Sequence, residues 1–170
     1  TPYHLKDEKM SIRLFIKLGS IFSRYAQKIV YCSTVSAKKH QLLGYLEEKT
    51  VIIPNGFDLK KYRPDRDKAR MILSKRIGIS KNAFLIGHIG RFHPMKDHLN
   101  FIAAAGLFQK QHPDARFMMI GRGVDRQNNI LINKINRLGL RDSFYLMGET
   151  DHLHTMFPAF DLITSSSAWG

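Results

Sequence analysis

Phe84-Leu85-Ile86-Gly87-His88-Ile89-Gly90-Arg91-Phe92-His93-Pro94-Met95-Lys96-Asp97 is the stretch that decides the fold. Its first seven residues form a short, mostly apolar run ending in glycine, the pattern of a strand buried on both faces. From Lys96 to Gln111 the period becomes helical, with Leu99, Ile102, Ala103 and Leu107 apolar. The same unit then repeats. Ala115 to Ile120 reads as a strand ending in Gly121-Arg122-Gly123, and Asn128 to Leu138 as a helix closed by Gly139. Ser143 to Met147 is a strand ending at Gly148, Leu153 to Phe160 a short helix, and Leu162-Ile163-Thr164 a fourth strand. Upstream, Lys68 to Ile77 is a helix stopped by Gly78. This alternation predicts an α/β fold: a Rossmann-like parallel sheet with helices on both faces and right-handed crossovers.

The first third of the chain reads differently. Residues 11–30 are an amphipathic helix in which Arg13, Lys17, Arg24 and Lys28 share an arc of roughly 60°. That face is read as a solvated cover over a core-facing stripe, with contact to anionic lipid as the sharper alternative. Ile29 to Cys32 is a strand, Ala37 to Leu46 a short helix behind the capping residues Ser33 to Ser36, and Thr50 to Ile53 a strand stopped by Pro54-Asn55-Gly56. Residues 58–70 are densely charged and mark a linker at a domain boundary. The lone Cys32 excludes an internal disulfide and lies in an apolar stretch, so a buried, inert thiol in a reducing compartment is expected.

The chain has 170 residues, is 44% hydrophobic and carries a net charge of +13. Residues 1–80 hold 17 Lys and Arg against 7 Asp and Glu, whereas residues 81–170 hold 10 against 7. Such a balance suits an anionic partner. Nucleic acid is not expected, because the charge lies mostly outside the Rossmann-like half and no helix-turn-helix, zinc-finger or RNP pattern is present. No apolar run approaches the roughly 18 residues of a membrane span. The ends, Thr1-Pro2-Tyr3-His4 and Ser167-Ala168-Trp169-Gly170, read as the interior of a longer protein.

Ligands of open parallel sheets bind beyond the carboxyl ends of the strands. Three strands here end in glycine, at Gly90, Gly121 and Gly148, which lets a ligand approach the backbone. Arg91 leaves the first of these ends, and Lys96 is expected at the start of the following helix. The macrodipole disfavours a cation there, so an anion from outside is implied. Arginine offers a planar fork and lysine a mobile point charge, a pair suited to a diphosphate. A dinucleotide fingerprint fails because position 126 is Arg, and no P-loop follows any glycine loop. The histidines match no standard zinc spacing. Ser165-Ser166-Ser167 lacks the glycine-flanked elbow of a hydrolase nucleophile and reads as a hydroxyl-bearing loop near the crevice.

Taken in order, Ile53-Pro54-Asn55-Gly56-Phe57-Asp58, Tyr62-Arg63-Pro64, Gly90-Arg91 with Lys96, Ile120-Gly121-Arg122-Gly123, Leu138-Gly139-Leu140, Leu146-Met147-Gly148 and Ala159-Phe160-Asp161 before Ser165-Ser166-Ser167 resemble the retaining glycosyltransferases of family 4, the group 1 transferases. The resemblance implies a two-domain GT-B architecture, here truncated. Residues 1–54 would be the C-terminal part of the acceptor-binding domain, 55–66 the interdomain linker, and 67–170 the nucleotide-sugar-binding domain, incomplete at its end. It implies transfer of a sugar from a nucleoside-diphosphate sugar to an acceptor hydroxyl with retention. Arg91 and Lys96 would be the catalytic cations, and Gly90, Arg91, Lys96, Gly121, Arg122, Gly123, Met147, Gly148, Ser166 and Ser167 the donor contacts. No metal or other cofactor is expected. The implied partners are the nucleotide sugar, a glycan or lipid-linked acceptor and an anionic membrane surface. The place would be the cytoplasm, peripheral on the inner face of the cytoplasmic membrane, in lipopolysaccharide, capsule or other surface-glycan synthesis. The family's paired glutamates fall beyond Gly170 and its acceptor-side glycine loop precedes Thr1, so a fragment inactive by itself is expected. The rivals are a nucleotide-sugar 2-epimerase on the same fold and, from a different class, a basic nucleic-acid-binding module.

Overall fold

The computed structural model describes residues 10–60 and 65–169. The chain divides between Asp58 and Leu59 into two compact units. Residues 1–9, residues 61–64 of the expected linker, and Gly170 lie outside the described residues.

The smaller unit holds helix α1 (Met10–Phe22), strand β1 (Ile29–Tyr31), helix α2 (Thr34–Gln41) and strand β2 (Thr50–Ile52). The two strands pair in parallel, Ile29 opposite Thr50 and Tyr31 opposite Ile52. Helix α1 is shorter than the sequence pattern predicts. It gives way to a 3₁₀ turn at Ser23–Tyr25, where the Ser23 hydroxyl donates to the carbonyl of Ser20. Beyond it the β-branched Ile29 and Val30 belong to β1, where branched side chains are favoured. Helix α2 starts earlier than expected, because Ser33 itself accepts from the Ser36 amide as the N-cap. No residue of α1 is buried, so the expected core-facing stripe is corrected: Leu14, Phe15, Ile21 and Phe22 are exposed. Cys32 is also exposed rather than buried. It follows Tyr31, which turns inward at the end of β1, and successive residues of an extended chain point to opposite sides.

The larger unit is built from helix α3 (Arg66–Ile77), strand β3 (Leu85–Ile89), helix α4 (His98–Gln111), strand β4 (Arg116–Ile120), helix α5 (Asn129–Arg137), strand β5 (Phe144–Leu146), helix α6 (Leu153–Met156) and strand β6 (Leu162–Thr164). The four strands form one parallel sheet in the order β5-β4-β3-β6. Strand β4 shows the two-residue period of a doubly covered strand. Phe117 and Met119 join one apolar cluster with Phe101, Ile102 and Leu131, while Met118 and Ile120 join the other with Leu73, Met156 and Phe160. Helices therefore cover both faces, as the alternation predicts. Gly87 in β3 has a packing role: a Cβ there would meet the Phe160 ring at 2.7 Å.

Helix boundaries follow from caps. Asp65 accepts from the Lys68 amide at the start of α3, and Gly78 closes it at φ 70°. Asn128 accepts from the amides of Ile130 and Leu131 ahead of α5. At the amino ends of β3 and β6, Asp161 binds the Leu85 amide at 2.7 Å and pairs with both Arg66 and Arg70. Arg70 is buried, and it also donates to the carbonyl of Ala83 at 2.6 Å.

Candidate functional site

The strand pairing continues past the carboxyl end of the sheet. The Gly90 amide donates to the Ile120 carbonyl and the Phe92 amide to that of Arg122, each at 2.8 Å. This carries the parallel register two residues further and sets Arg91 beside Arg122. The third strand end is tied in by Met147 donating to Met119 at 3.0 Å, Gly121 to Gly148 at 2.9 Å and Gly148 to Val124 at 2.8 Å. The three glycine-terminated ends thus form one hydrogen-bonded rim.

Arg91, Phe92, His93, Arg122, Gly123, Asp125, Gln127 and Asn128 line a cavity of about 620 Å³ over this rim. Among the described residues, Arg91, Lys96 and Arg122 pair with no carboxylate. Two register-paired guanidinium groups facing a polar cavity make a place where an anion is favoured.

Lys96 is reached from the other side of Gly90. Its Cγ and Cδ stand 3.4 Å from where a Gly90 Cβ would be, so the missing side chain makes room for the lysine stem. The expected position of Lys96 in the helix is corrected. Pro94–Lys96 form a 3₁₀ turn, and Asp97 is the N-cap of α4, accepting from the Asn100 amide at 3.2 Å. Asp97 supplies the acid that the helix start prefers, so the macrodipole does not press on Lys96. Asp97 reaches this place at φ 46°, a left-handed conformation uncommon outside glycine.

The serine loop after β6 closes the site from the side opposite β4. The Ser166 hydroxyl lies 2.8 Å from the Lys96 carbonyl and 2.9 Å from that of Asp97, and the Ala168 amide donates to Met95 at 2.9 Å. Ser167 pairs with the Ser165 hydroxyl at 3.1 Å. The structure thus gathers Gly90, Arg91, Gly121, Arg122, Gly123, Met147 and Gly148 on one rim. It places Lys96 and Ser166 together on its flank and leaves Ser167 with its neighbour Ser165.

Two residues of the site were not singled out by sequence. His88, on β3, and His98, the first residue of α4, are buried beneath the loop with ring centroids 4.6 Å apart. Burial, with His98 beside it, pushes the His88 imidazole down to about 4, and burial pushes His98 down as well. The available signal was a histidine inside an otherwise apolar strand, where a polar group needs a partner.

A parallel α/β domain with GT-B glycosyltransferases among its structural neighbours defines the class: an α/β fold of the GT-B type. The model of the glycosyl transferases group 1 matches residues 70–169, and the chain belongs to that family. It is 29% identical over 123 residues to the UDP-Gal:alpha-D-GlcNAc-diphosphoundecaprenol alpha-1,3-galactosyltransferase of Escherichia coli, covering 71% of this chain and 31% of that protein. It is 23% identical over 168 residues to the lipopolysaccharide core biosynthesis mannosyltransferase LpsB of Rhizobium meliloti, covering 92% of this chain and 47% of that one. Anabaena HepE, solved with UDP and glucose, matches 97% of this chain and 42% of its own length at a TM-score of 0.77 and 24% identity. The chain therefore spans less than half the length of these proteins.

Proposed function

We propose that the protein containing this chain transfers a sugar from a nucleoside-diphosphate sugar to an acceptor hydroxyl, with retention, during synthesis of lipopolysaccharide, capsule or another surface glycan. The observation that carries this reading is the cationic rim. Arg91 and Lys96 leave opposite ends of one short loop at the carboxyl end of β3, with no carboxylate partner among the described residues. As the glycosidic bond breaks, negative charge builds on the departing diphosphate and positive charge on the sugar ring. Arg91 and Lys96 stabilise that leaving group as preorganised donors. Gly121, Gly123, Met147 and Gly148 offer backbone along the nucleotide, Arg122 adds a second guanidinium, and Ser166 and Ser167 border the sugar side. In this reading no metal ion is required. Residues 67–170 hold the donor, and residues 1–54 belong to the acceptor side.

The similarity to a transferase acting on a lipid diphosphate supports a lipid-linked acceptor. Among the described residues no helix is long and apolar enough to cross a membrane. Helix α1 presents exposed Leu14, Phe15, Ile21 and Phe22 beside the stripe of Arg13, Lys17 and, in the following turn, Arg24. That combination suits an anionic cytoplasmic leaflet. The test is Arg91→Ala in the full-length protein, assayed by product analysis with nucleotide sugars. A sharp fall in kcat with the fold intact is expected. Turnover near that of the unaltered protein, or a free epimer as product, overturns the reading.

A further inference from the structure

The loop carrying Arg91 and Lys96 is underpinned by histidine rather than by apolar side chains. His98 Nε2 lies 3.2 Å from the Gly90 carbonyl. His88 Nε2 lies 2.9 Å from the Ser166 hydroxyl and 3.3 Å from the Lys96 carbonyl. Both rings are at most 2% exposed and pack on aromatic neighbours, His88 on Phe101 at 5.1 Å and His98 on Phe92 at 5.6 Å.

Hydrogen-bond chemistry assigns the protons. A carbonyl oxygen only accepts, so His98 Nε2 must carry hydrogen and donate to Gly90. Ser166 has one proton and two carbonyls, those of Lys96 and Asp97, within 2.9 Å. It donates to one of them and accepts from His88 Nε2–H. Each ring then presents a bare lone pair at Nδ1. Both Nδ1 atoms are buried without a partner among the described residues. An N–H left in that position would forfeit a strong donor, and two imidazolium ions this close would repel. The arrangement favours two neutral Nε2–H tautomers.

Two apolar side chains would fill this floor at lower desolvation cost. What the histidines add is a hold on each end of the loop. His98 holds Gly90, from which Arg91 departs and against which the Lys96 stem lies. His88, with Ser166, holds the far end at Lys96 and at Asp97, whose left-handed backbone needs such support. We propose that His88 and His98 are positioning residues for the donor diphosphate: through the carbonyls of Gly90 and Lys96 they fix the gap that Arg91 and Lys96 span. The proposal rests on the donor reading above.

The test uses the full-length protein with UDP as probe. His98→Phe and His88→Phe keep a flat ring and remove the donor. Each is expected to weaken UDP binding about tenfold, the equivalent of one lost hydrogen bond in a closed site, with unchanged circular dichroism. Gln, whose amide nitrogen reaches about as far as Nε2, should restore binding to within about threefold of the unaltered protein. Folded Phe variants that bind UDP normally, or Gln variants no better than Phe, overturn the proposal. Should the Phe variants fail to fold, ¹⁵N-histidine spectra of the unaltered protein decide it. Two neutral Nε2–H rings at pH 7 are expected, and an Nδ1–H tautomer or an imidazolium at either position overturns it. If the unaltered protein binds none of UDP, GDP or ADP, the donor reading falls, and the positioning role with it. Nucleotide binding with the tautomers reversed overturns only the histidine assignment.

Discussion

A Cβ on Gly121 would stand 2.1 Å from the carbonyl oxygen of Gly90. The two strand ends meet backbone to backbone, and this contact brings Arg91 alongside Arg122. Gly121 also has φ 152°, where side chains are rarely accommodated. Gly121→Ala must push the β3 and β4 ends apart, because the clashing atom is backbone and cannot rotate away. A stability loss on the order of 1–3 kcal/mol is expected from the strain alone. Urea unfolding of the full-length protein, paired with UDP titration, should show both stability and affinity falling.

Lys96→Met keeps the stem that packs against Gly90 and removes only the charge. It should lower kcat by about 10²–10³, the size of losing one preorganised donor. Folding should be unchanged. In the same assay, excess chelator should leave the unaltered enzyme's rate as it was; loss of activity restored by a divalent metal would refute the metal-independent part of the reading.

Asp161 anchors the opposite end of the sheet. Burial raises its carboxyl pKa, but hydrogen bonds from Arg66 and the Leu85 amide, with the charge of Arg70, outweigh burial and hold it below its ordinary value of 3.8. A depressed folded pKa adds stability that is present above pH 3.8 and lost as pH falls through the folded value. Asp161→Ala leaves the buried Arg70 without its carboxylate and should cost about 3–5 kcal/mol at pH 7. Arg66 is half exposed and contributes little to that loss. Chemical denaturation at pH 7 and pH 3 should show the gap between variant and parent shrinking in acid.

His88 gives a second, higher acid transition. Its folded pKa near 4 lies below the ordinary 6.5, so the unfolded chain binds more protons between these values. Stability should fall as pH drops from about 6.5 to 4, by up to roughly 3 kcal/mol. His88→Gln removes one titrating ring and should make the fall in denaturation midpoint across that window shallower, with buried His98 supplying what remains. A profile as steep as the parent's would show that another group is responsible.

Exchanging Arg13, Lys17 and Arg24 for glutamate should abolish co-sedimentation of the full-length protein with phosphatidylglycerol vesicles and leave UDP binding intact. Binding that persists, or that does not depend on anionic lipid, would remove membrane docking from the proposed function.

The alternation of strand and helix, the glycine that ends each strand near the site and the Arg91–Lys96 spacing are local properties, and they were readable from residue order. Periods of two and 3.6 residues need no knowledge of the partner element. They were enough for the α/β class and for the resemblance to the transferase family. The strand order β5-β4-β3-β6 depends on which distant segments pair, and with it the placing of Arg91 beside Arg122. The exposure of Cys32 and of the α1 apolar face depends on what packs over them. Asp97 displaced Lys96 from the helix start because a cap is settled by backbone geometry as well as by residue type. His88 and His98 are ten residues apart in sequence, one on a strand and one on a helix. Only the folded loop brings their rings together, because burial and a carbonyl acceptor are supplied by neighbours that neither residue carries along the chain.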